Sequence, residues 1–302
     1  MSEVENTRCG FVALIGAPNA GKSTLLNALV GAKVSIVSRK VQTTRAQVRG
    51  IALHGAAQII FVDTPGIFRP KRRLDRAMVV SAWGGADEAD VVCLLIDARK
   101  GLDEEASQIL ERLKGVRQRK CLALNKIDTL EVEKLLELAQ KVNAILPFEE
   151  TFMISALRGH GVETMKAKLA DMMKPGPWLY PEDQISDAPL RQLAAEITRE
   201  KIFERLHDEL PYQITVETDQ WKNLPDGSAR IEQTIFVTRE GHRKIVLGEG
   251  GSTIKSIGAA ARKDIAEASE QKTHLFLFVK VRENWIDDPE RYREMGLEFP
   301  KE

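Results

Sequence analysis

Gly16-Ala17-Pro18-Asn19-Ala20-Gly21-Lys22-Ser23 stands between the apolar run Phe11-Val12-Ala13-Leu14-Ile15 and the segment Thr24-Leu25-Leu26-Asn27-Ala28-Leu29-Val30. The spacing G-x-x-x-x-G-K-[ST], with a strand before it and a helix after it, predicts a phosphate-gripping loop. Successive backbone N–H groups of such a loop point inward, and the helix N-terminus adds partial positive charge, so a polyphosphate is held there. Lys22 is expected at the outer phosphates and Ser23 on the Mg²⁺ that bridges them, with Gly16 to Thr24 lining the nucleotide.

Further along, the polar, basic stretch Ser35–Arg45 has no helical period and reads as a loop. In a nucleotide switch a threonine there closes on the γ-phosphate and metal. Thr44 is the first choice and Thr43 the second. The strand Gln58–Val62 runs into Asp63-Thr64-Pro65-Gly66. A carboxylate at a strand end can hold Mg²⁺ through water, and the Gly66 N–H can meet the γ-phosphate. Ile67 follows, where many regulatory GTPases carry a water-orienting Gln, and its side chain has no polar group for that task.

Asp90–Asp97 and Lys120–Leu124 are continuous apolar runs, as in strands buried on both faces of a parallel sheet. Helices are expected near Leu74–Ala82, Glu104–Leu113, Val132–Ile145 and Val162–Met172. This alternation predicts a doubly wound α/β domain with a mostly parallel sheet.

Asn125-Lys126-Ile127-Asp128 ends the second run. The Asp128 carboxylate can accept both the N1–H and the 2-amino group of guanine, donors that adenine lacks. Asn125 can meet the ring's acceptor edge and tie the loop down. Ser155-Ala156-Leu157, one strand and one helix later, can present a backbone N–H to the guanine carbonyl.

With these elements in order, the first half resembles a translation-factor-related GTPase domain. The resemblance implies GTP and GDP as ligands, Mg²⁺ held by Ser23, Thr44 and Asp63, and Lys22, Thr44 and Gly66 as the residues that act in hydrolysis. Ile67 matches the apolar replacement in one branch of that family. There Asn19 corresponds to an Asn implicated in K⁺ binding; an Asn that tolerates positive φ in a tight loop is the competing reading.

Lys174–Pro181 holds three prolines and a glycine, so it cannot continue a helix, and a domain boundary is placed there. The expected division is residues 1–175, a linker at 176–189, and residues 190–302. Beyond it, Leu190–Leu206 reads as an amphipathic helix. Ile214–Val216 and Ile231–Val237 read as strands joined across Pro225-Asp226-Gly227, and His274–Val281 as a closing strand. Gly248-Glu249-Gly250-Gly251 between two helical segments resembles the Gly-x-x-Gly of a KH module, and the resemblance implies an α+β fold of prokaryotic topology that lays single-stranded bases along a groove. RNA contacts are expected from Arg243, Lys244, Gly248, Glu249, Gly250, Gly251 and Lys255. Glu249 stands where a basic residue is common, and its charge repels phosphate.

Both halves together resemble the Era family of bacterial GTPases. That resemblance implies binding to small-subunit ribosomal RNA near its 3′ end, a role in small-subunit maturation, and peripheral association with the inner membrane. Rival readings are a GTPase that regulates a protein or membrane, and an ATP-dependent kinase or ATPase.

Lys+Arg and Asp+Glu are both 44, so overall charge names no partner. The balance is +6 through residue 178 and −6 after it, so an RNA surface in the second half must be local. Three cysteines without a C-x-x-C fit a reducing cytosol. No apolar run approaches the roughly 18 residues of a membrane span.

Overall fold

The computed structural model describes residues 6–41, 43–207, 210–283 and 285–300; Gln42, within the polar loop read from the sequence, lies outside them. The chain forms two units, one of residues 1–35, 41–187 and 295–302, the other of residues 36–40 and 188–294.

The first unit alternates strand and helix. Its elements are β1 (Arg8–Gly16), α1 (Lys22–Val30), β2 (Val48–His54), β3 (Ala57–Asp63), α2 (Arg73–Glu88), β4 (Val91–Asp97), α3 (Glu104–Leu113), β5 (Arg119–Asn125), α4 (Val132–Ile145), β6 (Glu150–Ile154), α5 (Val162–Met172) and the short β7 (Lys174–Pro175). The strands order as β2-β3-β1-β4-β5-β6. All pairings along this path are parallel except β2 with β3, and β7 adds an antiparallel bridge to β1.

Strand β1 shows why its sequence is apolar throughout. Val12 and Leu14 pack with α1 and α5, while Ala13 and Ile15 pack with α2, α3 and α4. A strand covered on both faces has no solvent side, and alternation disappears. Helix α3 begins where Asp103 Oδ1 accepts the Ala106 N–H at 2.8 Å, and it buries Ala106, Ile109, Leu110 and Leu113 at helical spacing. Helix α2 runs beyond the expected Ala82 because Trp83 and Ala86 continue its buried face past Gly84 and Gly85.

The second unit holds α6 (Leu190–Arg205), β8 (Ile214–Asn223), β9 (Ala229–Val237), α7 (Glu240–Leu247), α8 (Ser252–Ala268), β10 (Thr273–Val281) and α9 (Pro289–Glu294). Its sheet orders as β10-β9-β8, with β9 antiparallel to β8 and parallel to β10. Ile202, Ile214, Ile235, Val246 and Ile257 form one apolar cluster, and Ile36, Ala194, Ile197, Ile231, Ala261 and Ile265 a second. Lys201 Nζ joins α6 to α8 through Asp264 at 2.7 Å.

The proline-rich stretch differs from the linker expected at 176–189. It runs along the first unit, and the chain passes to the second between 187 and 188. Trp178 Nε1 donates to the Ala56 carbonyl, the Leu179 and Tyr180 N–H groups donate to Gln58 Oε1, and the Ile185 carbonyl accepts from Ile51. Prolines forbid a helix here but leave an extended segment free to satisfy buried groups. Residues 295–302, expected with the C-terminal domain, group with the first unit, where Arg73 lies over the Phe299 ring.

Candidate nucleotide site and nucleic-acid loop

Five nucleotide-site segments of the first unit lie at the C-terminal ends of strands: Gly16–Ser23 after β1, Asp63–Gly66 after β3, Asp97 at the end of β4, Asn125–Asp128 at the end of β5, and Ser155–Leu157 after β6; the loop of Thr44 instead leads from α1 into β2. Ligands of open α/β sheets bind at that edge.

In the loop after β1, Gly21 has φ +100°, and a Cβ there would lie 2.2 Å from Asn125 Nδ2. Only glycine lets the two loops meet. Asn19 has φ +62°, the conformation that asparagine tolerates without any cation ligand. Lys22 is buried and curls back, donating to the Gly16 and Ala17 carbonyls at 3.1 Å each. Burial pushes its ammonium down to about 8.

Asp63 is fully buried, and burial pushes its carboxyl above the usual range. Its Oδ2 accepts from Ser23 Oγ at 2.6 Å, from Ser35 Oγ at 3.0 Å and from Thr44 Oγ1 at 3.5 Å. Ser23 and Thr44 hydroxyls stand 2.9 Å apart. Asp63 Oδ1 is buried and has no hydrogen-bond partner among the described residues. Hydroxyls gathered on a carboxylate with an unsatisfied oxygen suit a hard divalent cation. Among the described residues no group of three or more His, Cys, Asp or Glu could hold a metal.

Thr64 Oγ1 donates to the Leu14 carbonyl at 2.8 Å with no exposed surface, so its side chain fastens the end of β3 to β1. Ile67 is buried beside Ala13, Ile15 and Trp83, and its N–H donates to the Gly16 carbonyl at 3.0 Å. Gly66 lies against Pro18, where a Cβ would meet the Pro18 backbone at 3.0 Å.

Asn125 joins three loops. Its Nδ2 donates to the Ala20 carbonyl at 2.9 Å, and its Oδ1 accepts from Lys126 N at 2.8 Å and Ala156 N at 3.0 Å. It ties the site together, and its carbonyl oxygen is already taken. Lys126 Nζ reaches the Asn19 carbonyl and Asp97 Oδ2, the latter at 2.7 Å. Burial would raise the Asp97 carboxyl, but Arg99 and Lys126 outweigh it and hold it at about 2. Asp128 Oδ1 accepts from Ser155 Oγ at 2.7 Å and Oδ2 from Arg158 Nε at 3.3 Å. The Ser155 hydrogen bond first, then Arg158, lowers its carboxyl. Leu157 is exposed at the rim. Sequence reasoning missed Arg158 and Ser35, since a lone Arg or Ser in a loop carries no motif.

In the second unit, Gly248 ends α7 with φ +72°, and a Cβ there would lie 2.3 Å from Thr253 Oγ1. Gly250 and Gly251 also have positive φ, so the loop depends on its glycines. Glu249, Lys244 and Lys255 are exposed; Arg243 pairs with Glu240 at 2.9 Å. Ile245, on α7 just before the loop, is 54% exposed. An apolar group in water beside a loop open to a phosphate backbone suits stacked bases.

Geometry thus defines a P-loop nucleotide domain followed by a KH domain. Residues 11–126 match the family described as "50S ribosome-binding GTPase", and residues 209–286 match "KH domain". The chain is 69% identical over 296 residues to GTPase Era of Afipia carboxidovorans, spanning 98% of this chain and 96% of that one. To GTPase Era of Brucella suis biovar 1 it is 65% identical over 299 residues, 99% and 96% of the two chains. A crystal structure of Era with MgGDPNP and nucleotides 1506–1542 of 16S ribosomal RNA superimposes with TM-score 0.91 at 37% identity, covering 96% of this chain and 99% of that one. A single-residue variant of Aquifex aeolicus Era bound to GDP·AlF4⁻ gives the same score, identity and coverage. The chain belongs to the Era family of GTPases.

Proposed function

We propose that this GTPase binds GTP and Mg²⁺ at the first unit, holds single-stranded RNA from the 3′ region of small-subunit ribosomal RNA on the Gly-x-x-Gly loop of the second, and assists small-subunit assembly. The carrying observation is the joint presence, in one chain, of the Asn125–Asp128 loop at the end of β5 and a glycine-built KH loop, together with an Era relative crystallised with both ligand types.

On nucleotide entry Lys22 leaves the Gly16 and Ala17 carbonyls for the outer phosphates, where its ammonium offsets charge developing in the transition state. Ser23 and Thr44 would hold Mg²⁺ directly and Asp63 through water; the ion neutralises the β- and γ-phosphates. Asp128 exchanges its Ser155 and Arg158 contacts for the guanine N1–H and 2-amino group. Ala156 N–H is engaged by Asn125, which leaves the Leu157 backbone for the guanine carbonyl. With Ile67 buried and no general base beside the loop among the described residues, unaided hydrolysis is slow, on the order of 10⁻³–10⁻⁴ s⁻¹. K⁺ enters this reading only through Asn19, and hydrolysis in KCl against NaCl decides it.

Nucleotide state would control RNA binding through the loop before Thr44. Residues 36–40 belong to the second unit although both flanks belong to the first, which supports that reading. Closing Thr44 on a γ-phosphate therefore acts on a segment the RNA-binding unit contains. We place the protein in the cytoplasm, in keeping with free Cys9, Cys93 and Cys121. Any hold on the inner membrane is peripheral, since no helix among the described residues is long and apolar enough to cross one.

Crosslinking in cells, followed by sequencing of RNA attached at Gly248–Lys263, tests the assignment. Enrichment of the small-subunit 3′ region is expected; a GTPase that regulates only a protein or membrane would enrich no RNA. Equal RNA affinity with GTP analogue and GDP would remove the coupling.

A further inference from the structure

Asn27 lies one helical turn after Ser23 on α1, so both side chains share a face. Its side chain makes three hydrogen bonds to the backbone entering the switch loop. Oδ1 accepts from Val34 N and Ser35 N, both at 2.9 Å, and Nδ2 donates to the Ser35 carbonyl at 2.8 Å. Its own backbone carbonyl accepts the Gly31 N–H at 2.9 Å, closing the helix. Both backbone groups of Ser35 are thereby fixed, and the buried Ser35 hydroxyl donates to Asp63 Oδ2 at 3.0 Å.

The motif of the loop and helix requires none of this. Ser23 and Thr44 already supply the hydroxyls a bound cation uses. Ser35 is a third hydroxyl on the same carboxylate oxygen, which leaves Oδ1 as the buried oxygen without a partner among the described residues.

We propose that Asn27 and Ser35 form a positioning relay: Asn27 sets Ser35, and Ser35 fixes the rotation of the Asp63 carboxylate beside the Ser23 and Thr44 hydroxyls, where it would meet the metal's water shell. The proposal rests on the nucleotide reading given above. A partner behind a metal-associated carboxylate fixes its rotation, and loss of such an outer contact typically lowers metal affinity about 10–100-fold. The relay also fixes the backbone at Val34 and Ser35, where the chain enters the loop that carries Thr44.

Release of a fluorescent GDP derivative from the full chain, followed as Mg²⁺ is titrated, tests the relay. Ser35→Ala and Asn27→Ala should each raise the Mg²⁺ midpoint for nucleotide retention by about tenfold or more, with the release rate in excess EDTA unchanged. If Asn27 acts through Ser35, the double variant should be no worse than the more affected single one. Independent effects that multiply would overturn the relay, as would an unchanged midpoint in Ser35→Ala. An equal change with and without Mg²⁺ would also refute it, because the damage would then lie in the pocket. Should Asn27→Ala fail to fold, Asn27→Ser and Ser35→Ala carry the same comparison. Failure of the unsubstituted protein to retain the nucleotide would instead overturn the nucleotide reading itself.

Discussion

Asp128 is held by Ser155 and Arg158, and the guanine contact proposed for it must replace both. Each hydrogen bond to a charged acceptor is worth roughly 1.5–3 kcal/mol. Replacing the carboxylate by an amide turns one acceptor into a donor. Asp128→Asn should therefore weaken GTP binding by roughly 10²–10⁴-fold and favour xanthosine triphosphate, read by competition against a fluorescent nucleotide. Unchanged guanine preference would refute the assignment. Lys22 gives a pH signature. Its ammonium is pushed down to about 8 in the empty site, and phosphates at the loop favour the charged form. Above pH 8, binding must take up a proton, so GDP affinity should be flat from pH 7 to 8 and fall toward tenfold per unit by pH 9. A flat profile to pH 9 would show that Lys22 stays charged without ligand.

At the scale of single elements, α3 depends on Asp103, whose carboxylate caps Ala106. Asp103→Ala should cost about 1 kcal/mol in chemical denaturation while leaving nucleotide affinity intact. In the KH loop Glu249 is exposed among three positive-φ glycines. Glu249→Lys should tighten RNA binding and steepen its salt dependence by about one unit of logarithmic slope. No change in slope would place Glu249 away from the RNA backbone.

The same elements explain what sequence reasoning could reach. Strands β1, β4 and β5 are unbroken apolar runs because both faces are covered, and α3, α4 and α5 carry clear inner stripes. Strand β2 escaped because Arg49, Gly50 and His54 interrupt it and its partner is antiparallel. Phosphate and guanine motifs were legible because the chemistry fixes residue types at fixed spacing. Arg158, Asn27 and Ser35 act through geometry alone, and nothing in their spacing distinguishes them from ordinary loop and helix residues. The bond from Thr64 Oγ1 to the Leu14 carbonyl was not legible either, because a hydroxyl at a strand end carries no mark of which neighbour it meets.

For the whole molecule, nucleotide binding stabilises the state that binds it by RT ln(1 + [L]/Kd), about 2.7 kcal/mol at 100-fold saturation. Calorimetry with saturating GDP and Mg²⁺ should raise the melting of residues 1–187. A smaller shift is expected in the second unit, which contains residues 36–40. No shift in either would contradict nucleotide binding.

The proline-rich stretch bears on how this protein can be dissected. Gln58 is fully buried, and Leu179 and Tyr180 supply its backbone donors and acceptor, while Trp178 covers the Ala56 carbonyl. A recombinant fragment stopped at Pro175 would strip those groups and also uncover the edge strand β2, where the Ile51 N–H donates to the Ile185 carbonyl and Gly50 pairs with Ser186, leaving an edge prone to aggregate. One stopped after Asp187 keeps them, and is the piece to express.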